Sequence, residues 1–493
     1  MNIFMSALVN ALSPIGILAS FSGVLGGIII GSLPGLSATM AIALLIPVTF
    51  AMSPDIALLM LVGVYCGSVY GGSISAILVG VPGTPSAAAT WMDGYPMSSK
   101  GEGAKALWFS VTGSFVGGIV SALALALLAP LLAKFALKFG PPEYFSLAIF
   151  GLSIIVSLVS KSFLKGLFSA FLGVVLACVG MDPILGENRL TFDILDLMSG
   201  IPFACAIIGL FGFSQALQMC QQEFIADMST ISKTGRKLPR FRELLPHWKL
   251  ILRSSVIGTV IGIIPGAGTS MASFIAYSDA RNCSKTKELF GTGHVEGLLA
   301  PETANNAVTG GSMVPMLALG VPGNGVSAIF IGALMIHGIN PGPMLFQNHA
   351  ELVNTIFVGF FIANFFMLLM GLIAARYLSS VTTVSTSIMA PIICVLCVIG
   401  TFAIRNSMFD VWVMLLFGVG GYFLTLCKVS MIPLVLALIL SPLAEQSYFQ
   451  SMLLSDGSPA IFVTRPISLA LLAVSLISIV VPFFKQSLKE QDE

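Results

Sequence analysis

Apolar stretches long enough to cross a bilayer recur along almost the whole chain, and they restrict its fold more than any other feature. Crossing about 30 Å of hydrocarbon takes roughly 20 residues of helix. Runs of that order begin near residues 14, 55, 106, 143, 163 and 201, and again near 254, 305, 351, 383, 408 and 461. Charged residues make up 9% of the 493 and hydrophobic ones 56%, which excludes an ordinary soluble domain. Runs such as Ser121 to Leu132 and Leu469 to Phe484 are apolar without alternation, so a transmembrane barrel is excluded. The expected fold is all-α and polytopic, with about 10–13 spanning or broken helices.

The 23 basic and 22 acidic residues nearly cancel and leave no basic surface for nucleic acid. Lys233, Arg236, Lys237, Arg240, Arg242, Lys249 and Arg253 crowd the segment from Gln221 to Arg253. The positive-inside rule places this segment in the cytoplasm, and an amphipathic helix on the membrane surface is compatible with the same placement. Residues 1–220 therefore read as a first membrane repeat, 221–253 as a basic cytoplasmic connector, 254–484 as a second membrane repeat and 485–493 as a polar tail. Cys394-x-x-Cys397 lies in an apolar run and reads as helix packing, not as a zinc or redox site. Met1 to Pro14 carries no basic residue and no small-residue cleavage site, so the first spans are expected to act as an uncleaved targeting signal.

The two halves repeat each other. Gly31 to Ala41 aligns without gaps on Gly262 to Ala272 at a constant offset of 231, and Gly27 then matches Gly258. Downstream, Gly71-Gly72-Ser73 with Gly80-Val81-Pro82-Gly83 returns as Gly310-Gly311-Ser312 with Gly320-Val321-Pro322-Gly323. Asp93-Gly94-Tyr95-Pro96 has a looser echo in His337-Gly338-Ile339-Asn340-Pro341. Two homologous repeats, inverted with respect to each other, are expected.

Pro and Gly inside an apolar span free backbone polar groups, which survive in hydrocarbon only where protein or a water-filled cavity satisfies them. Matched breaks at Pro34-Gly35, Pro82-Gly83, Pro265-Gly266 and Pro322-Gly323 therefore point to a cavity at the membrane midplane. Each break also starts a new helix. Ser37, Thr39, Thr269 and Ser270 follow two of the breaks, Thr84 suits an N-cap with Pro85 at the first helical position, and Asn324 is the corresponding cap in the second half. Four half-helix N-termini, with Ser86 among their hydroxyls, could aim free N–H groups at one anion, so a small carboxylate is the expected substrate. With no Lys or Arg in the breaks, an accompanying Na⁺ or H⁺ is expected as coupling cation, and no other cofactor. Glu296, Glu302, Asn305 and Asn306 are unusually polar for their surroundings. Glu302, Asn305 and Asn306 are candidates for a cation site or polar network, or else Glu302 begins a helix beside Pro301 in a loop. Asp279 and Arg281 are expected at a helix end, Asp93 at a loop closure, and His337 as a satisfied polar residue or a ligand. No H-E-x-x-H, G-x-S-x-G or nucleotide-binding loop occurs, so no enzyme is expected.

Gly31 to Phe50, Gly83 to Met97, and Glu296 to Asn306 through Gly320-Val321-Pro322-Gly323 together resemble the large membrane subunit of tripartite tricarboxylate transporters, the TctA family. The resemblance covers nearly the whole chain. It implies a multi-pass protein of the bacterial inner membrane that imports citrate or other tri- and dicarboxylates by cation-coupled alternating access. It also implies a small membrane subunit of about four helices and a periplasmic solute-binding protein. A passive carboxylate channel and a non-transporting structural subunit are the alternatives.

Overall fold

The computed structural model describes residues 3–33, 35–159, 162–182, 186–221, 239–377 and 386–489. Pro34 and the basic residues Lys233, Arg236 and Lys237 lie outside the described residues.

After a short α1 (Ile3–Ala11), Ser13 accepts from Gly16 N–H and Pro14 occupies the first helical position, starting α2 (Pro14–Ser32). Beyond a break, Ser37 Oγ accepts from Met40 N–H at 3.2 Å and starts α3 (Ala38–Phe50). Then come α4 (Pro54–Leu78), a second break, α5 (Ala87–Met97) and the long α6 (Gly103–Ala136). The first half closes with α7 (Pro141–Val159), α8 (Phe163–Ala177), a two-stranded ribbon of Gly180–Met181 with Asn188–Arg189, α9 (Phe203–Ile207) and α10 (Ser214–Gln221).

The second half reproduces the order of α2 to α5 as α11 (Trp248–Ile263), α12 (Gly268–Cys283), α13 (Val295–Leu319) and α14 (Gly325–Ile336). It continues through α15 (Leu345–Asn348), α16 (Ala350–Tyr377), α17 (Thr386–Arg405), α18 (Met408–Leu426), α19 (Ile432–Leu454), α20 (Ile461–Thr464) and α21 (Pro466–Lys489). Helix α11 starts ahead of the expected boundary at residue 254. Leu250 and Ile251 bury themselves in the core, and Arg253 pairs with Asp279 on α12, so the charges that mark a connector in sequence sit on a packed helix.

Glycine spacing sets how these helices lie. Gly23, Gly27 and Gly31 on α2 face Met60, Val64 and Ser68 on α4, and a Cβ at any of the three would stand 2.2–2.5 Å from the facing carbonyl oxygen. Gly63, Gly67 and Gly71 of α4 return the contact against Ser20, Val24 and Ile28. Small residues every fourth position let two backbones approach this closely in a membrane. Both sets of numbers rise together, so α2 and α4 run parallel and α3 is the return limb between them. At 13 residues α3 is only about 20 Å long, too short to cross the hydrocarbon. The second half does the same: Gly258 packs on Ala304 and Gly262 on Val308, so α11 and α13 are parallel and α12 returns.

The corresponding helices α4 and α13 meet in opposite senses, with Tyr65 bonded to Ser312 and Ser73 to Glu302. Alongside them α6 runs parallel to α13, Gly117 against Thr303 and Ser121 against Gly310. Around this centre the outer helices expose Leu123, Leu127 and Leu131 of α6, Ile392, Val395 and Ile399 of α17, and Leu476, Ile477 and Val481 of α21. Such a belt suits lipid, and seven helices among the described residues are long and apolar enough to cross a bilayer. The architecture is all-α and polytopic, as expected.

Candidate functional site

The four breaks have matched backbone geometry. Gly35 and Gly266 take φ of +87° and +82°, and Gly80 and Gly320 take +78° and +72°, left-handed values that a side chain disfavours. Gly83 and Gly323 are required by crowding: a Cβ would lie 2.3 Å from the Gly31 carbonyl oxygen in the first half and 2.7 Å from that of Gly262 in the second. Pro82 and Pro322 each precede one of these glycines. Gly83 N–H donates to the Gly72 carbonyl at 3.1 Å and Gly266 N–H to the Gly323 carbonyl at 2.8 Å. Gly266 thus recovers part of its break's lost backbone bonding from the neighbouring break, and Gly83 from the body of α4.

Between the breaks lies a cavity of about 300 Å³ lined by the first residues of α3, α12 and α14 and by Thr84-Pro85-Ser86, the turn that leads into α5. It brings together Ser37, Thr39, Thr84, Ser86, Thr269, Ser270 and Asn324, with Val69 of α4 and Ile432 of α19 as apolar wall. None of the lining residues is charged. A helix N-terminus carries roughly half a positive charge and several unpaired N–H groups, so four of them around one space favour an anion. A larger cavity of about 550 Å³ lies beside Arg189, but that guanidinium is held by Glu445 at 2.6 Å and by Asp182 at 3.5 Å.

The lining side chains divide by commitment. Asn324 Oδ1 accepts from Ser327 N–H and Ser327 Oγ accepts from Asn324 N–H, both at 2.9 Å, a reciprocal cap on α14. Its Nδ2 donates to Tyr65 Oη at 2.9 Å, and Tyr65 Oη meets Ser312 Oγ at 3.0 Å. Ser37 caps α3. Thr39, Thr269 and Ser270 make no side-chain hydrogen bond among the described residues.

Thr84 is a correction. Helix α5 opens at Ala87, so Thr84 is not its side-chain cap and Pro85 precedes the helix. Ala87 N–H donates to the Thr84 carbonyl at 3.0 Å in a turn, and Thr84 Oγ1 meets Ser86 Oγ at 3.1 Å. The Thr84 side chain packs into the space left by Gly72, which draws it away from the helix start.

Glu302 lies in the middle of α13, fully buried, which removes the reading of a loop residue opening a helix. Its Oε1 accepts from Ser73 Oγ at 2.5 Å and from Thr90 Oγ1, and its Oε2 from Ser110 Oγ at 2.8 Å and Ser114 Oγ at 3.0 Å. Asn305 and Asn306 follow on the same helix, fully buried; the Asn305 amide and Asn306 Oδ1 have no partner among the described residues.

Asp93 closes a loop, as expected from its sequence. Its Oδ1 accepts from the N–H groups of Gly291 and Gly293 at 2.9 Å and of His294 at 2.7 Å, and its Oδ2 from Tyr277 Oη at 2.9 Å. The fully buried carboxylate of α5 thereby ties down the entrance to α13. Gly297 makes room for it, since a Cβ there would stand 2.0 Å from Oδ2. His247, ahead of α11, lies 3.6 Å from Glu296, and burial holds its imidazole below the usual histidine range. Asp279 sits near the end of α12, and His337 caps the end of α14 with Nε2 unpartnered among the described residues.

Sequence reasoning missed Tyr65, Gln215 and the apolar wall. Tyr65 interrupts a run of Leu, Val and Gly on α4, a signal that was present, and Gln215 Nε2 donates to the Gly35 carbonyl at 2.9 Å from distant α10. Ile432 carries no signal that separates it from other apolar residues.

Residues 17–436 match the model of the tripartite tricarboxylate transporter TctA family. The chain is 37% identical over 98% of its length to 96% of an uncharacterized 52.8 kDa protein in the TAR-I ttuC′ 3′ region of Agrobacterium vitis. An uncharacterized protein in the TAR-II ttuC′ 3′ region of the same organism is 33% identical over 48% of this chain and 98% of its own. No solved structure matches. The repeated glycine breaks, the polytopic helical fold and this match agree: the chain belongs to the tripartite tricarboxylate transporter TctA family.

Proposed function

We propose that this chain is the translocating subunit of a secondary-active carboxylate importer of the bacterial inner membrane, and that the cavity between the four breaks is its substrate site. The supporting observation is the convergence of four helix starts on about 300 Å³ of uncharged, hydroxyl-rich space. A carboxylate there takes N–H groups from the helix ends and hydroxyls from Thr39, Thr269 and Ser270, while Ser37, Thr84, Ser86 and Asn324 shape the walls. With no fixed cation in the wall, the dianion or trianion arrives with Na⁺ or H⁺.

The opposed senses of α4 and α13 support two inverted repeats, whose hairpins α2–α3 and α11–α12 enter from opposite faces. Movement of the hairpin tips against the outer helices then opens the cavity to one side at a time. A periplasmic binding protein delivers the carboxylate, and a small membrane subunit of about four helices completes the complex.

The test follows depletion of a carboxylate mixture by cells holding the complete complex, in Na⁺ or in choline, against cells lacking this chain. The expected result is that a tri- or dicarboxylate is accumulated only when the chain is present. Equal depletion in both strains overturns the reading, and equilibration without accumulation replaces it with a channel.

A further inference from the structure

Glu302 has no Lys, Arg or His partner among the described residues, although both its oxygens are buried. A charge there is costly unless it is paired or hydrogen-bonded. The cage around it is built from four hydroxyls on three helices: Ser73 of α4, Thr90 of α5, and Ser110 and Ser114 of α6. Serines and threonines elsewhere in these helices, such as Ser68, Thr112, Ser121 and Thr303, bond back to a carbonyl one turn earlier. The four around Glu302 turn to the carboxyl instead.

We propose that Glu302 is a proton-binding site one helical turn from the substrate cavity, and that its carboxyl carries the coupling proton. This deepens the transport reading and rests on it for the coupling alone. A carboxylate accepts at four positions and matches four donors, whereas a carboxylic acid must donate once. Hydroxyls serve either state, because any one of them can accept from the acid while turning its own hydrogen to the carbonyl a turn back. Ser73, Ser110 and Ser114 stand 2.5–3.0 Å from the carboxyl, the spacing of direct hydrogen bonds through which a proton site is read. One O–H bond forms on Glu302 when a proton arrives from water on one side of the membrane, and that bond breaks when the proton leaves to the other.

Two further observations support the site. Ser73 and Thr90 each stand four residues, about 6 Å of helix rise, from the cavity residues Val69 and Ser86. The fully buried Tyr70 hydroxyl of α4 and the Asn305 and Asn306 amides one turn along α13 retain polar atoms without a partner among the described residues. The other titratable groups on the surrounding helices are committed or distant. Asp93 of α5 is held by the α13 entrance and Tyr277 of α12 by Asp93. Arg253 of α11 pairs with Asp279 of α12, and Glu296 of α13 faces His247. On α4, Tyr65 bonds Ser312 and Asn324, Cys66 lies beside Asn364, and Asp55 opens the helix. Lys249 of α11 lies over the Trp248 ring, Arg281 of α12 is in that helix's last turn, and α6 carries no charge between Lys105 and Lys134.

Infrared difference spectroscopy of the full chain in lipid reads the carboxyl directly. The expected spectrum shows a protonated-carboxyl C=O stretch that is lost as pH rises, is absent from Glu302→Gln and survives in Asp93→Asn. No such band in the folded wild type, or a band that follows Asp93, overturns the proposal. A wild-type band removed by Na⁺ at constant pH, but not by choline, also overturns it and makes the site a sodium site. In vesicles holding the complete complex, one unit of imposed pH gradient is expected to support up to about tenfold accumulation per coupled proton, a response that Glu302→Gln loses. A Glu302→Gln complex with the wild-type response overturns the coupling role. If the band is present but the wild-type complex moves no carboxylate, the transport reading fails and the proton site stands.

Discussion

Asp93 shows how much one buried side chain can hold. Three backbone N–H groups and a tyrosine hydroxyl converge on its carboxylate. Asp93→Ala leaves all three amides without an acceptor and is expected to cost about 3 kcal/mol or more. Asp93→Asn keeps Oδ1 as acceptor, and the Tyr277 hydroxyl can turn to accept from the new amide, so a loss of only about 1 kcal/mol is expected. Thermal unfolding of the purified variants checks the order; equal stability of Asp93→Ala and wild type would refute this role. Asp93 was legible as a residue that closes a loop, but its partners were not. They come from the other half of the chain, about 200 positions away, and no local pattern names them. Glu302 is similar: its polarity stood out in sequence, whereas its four hydroxyl donors are scattered over three helices whose packing only the fold specifies.

The pairing of helices follows from glycines at every fourth position, and here the sequence was most informative. Gly27 and Gly31 are repeat positions in the sequence, and their packing role follows from the same spacing. Gly27→Val drives a side chain into the Val64 carbonyl, where even a Cβ would stand 2.5 Å away. A destabilisation of at least about 1–3 kcal/mol is expected. Gly420, in α18, has nothing within 4 Å of an added Cβ, so Gly420→Ala should be neutral or stabilise by up to about 1 kcal/mol. Folded protein remaining after a heat ramp separates the two, and a Gly27→Val protein as robust as Gly420→Ala would contradict the close packing of α2 on α4. Helix starts were less legible than helix pairing. Thr84-Pro85 has the chemistry of a cap, yet α5 opens at Ala87 because Gly72 offers the Thr84 side chain a better place. Helix α11 likewise opens at Trp248, inside the segment that composition marks as a connector, since Lys249 and Arg253 flank Leu250 and Ile251, which pack inward.

At the level of the complete chain, breaks far apart in sequence become neighbours because each hairpin returns beside its parallel pair. The residues that follow the four breaks then meet around one space: Ser37 and Thr39, Thr84 and Ser86, Thr269 and Ser270, and Asn324. The repetition was readable from matches at an offset of 231 residues; the cavity was not, because it depends on how α4 and α13 cross. Its uncommitted hydroxyls carry the central claim. The most direct measurement is the carboxylate KM of the complete complex with Thr39→Val, Thr269→Val or Ser270→Ala, with membrane insertion confirmed for each. A hydrogen bond to a charged group contributes about 1.5–3 kcal/mol, so each substitution is expected to raise KM roughly 10- to 100-fold. Wild-type KM in all three correctly inserted variants would contradict the claim that the substrate binds among these helix starts.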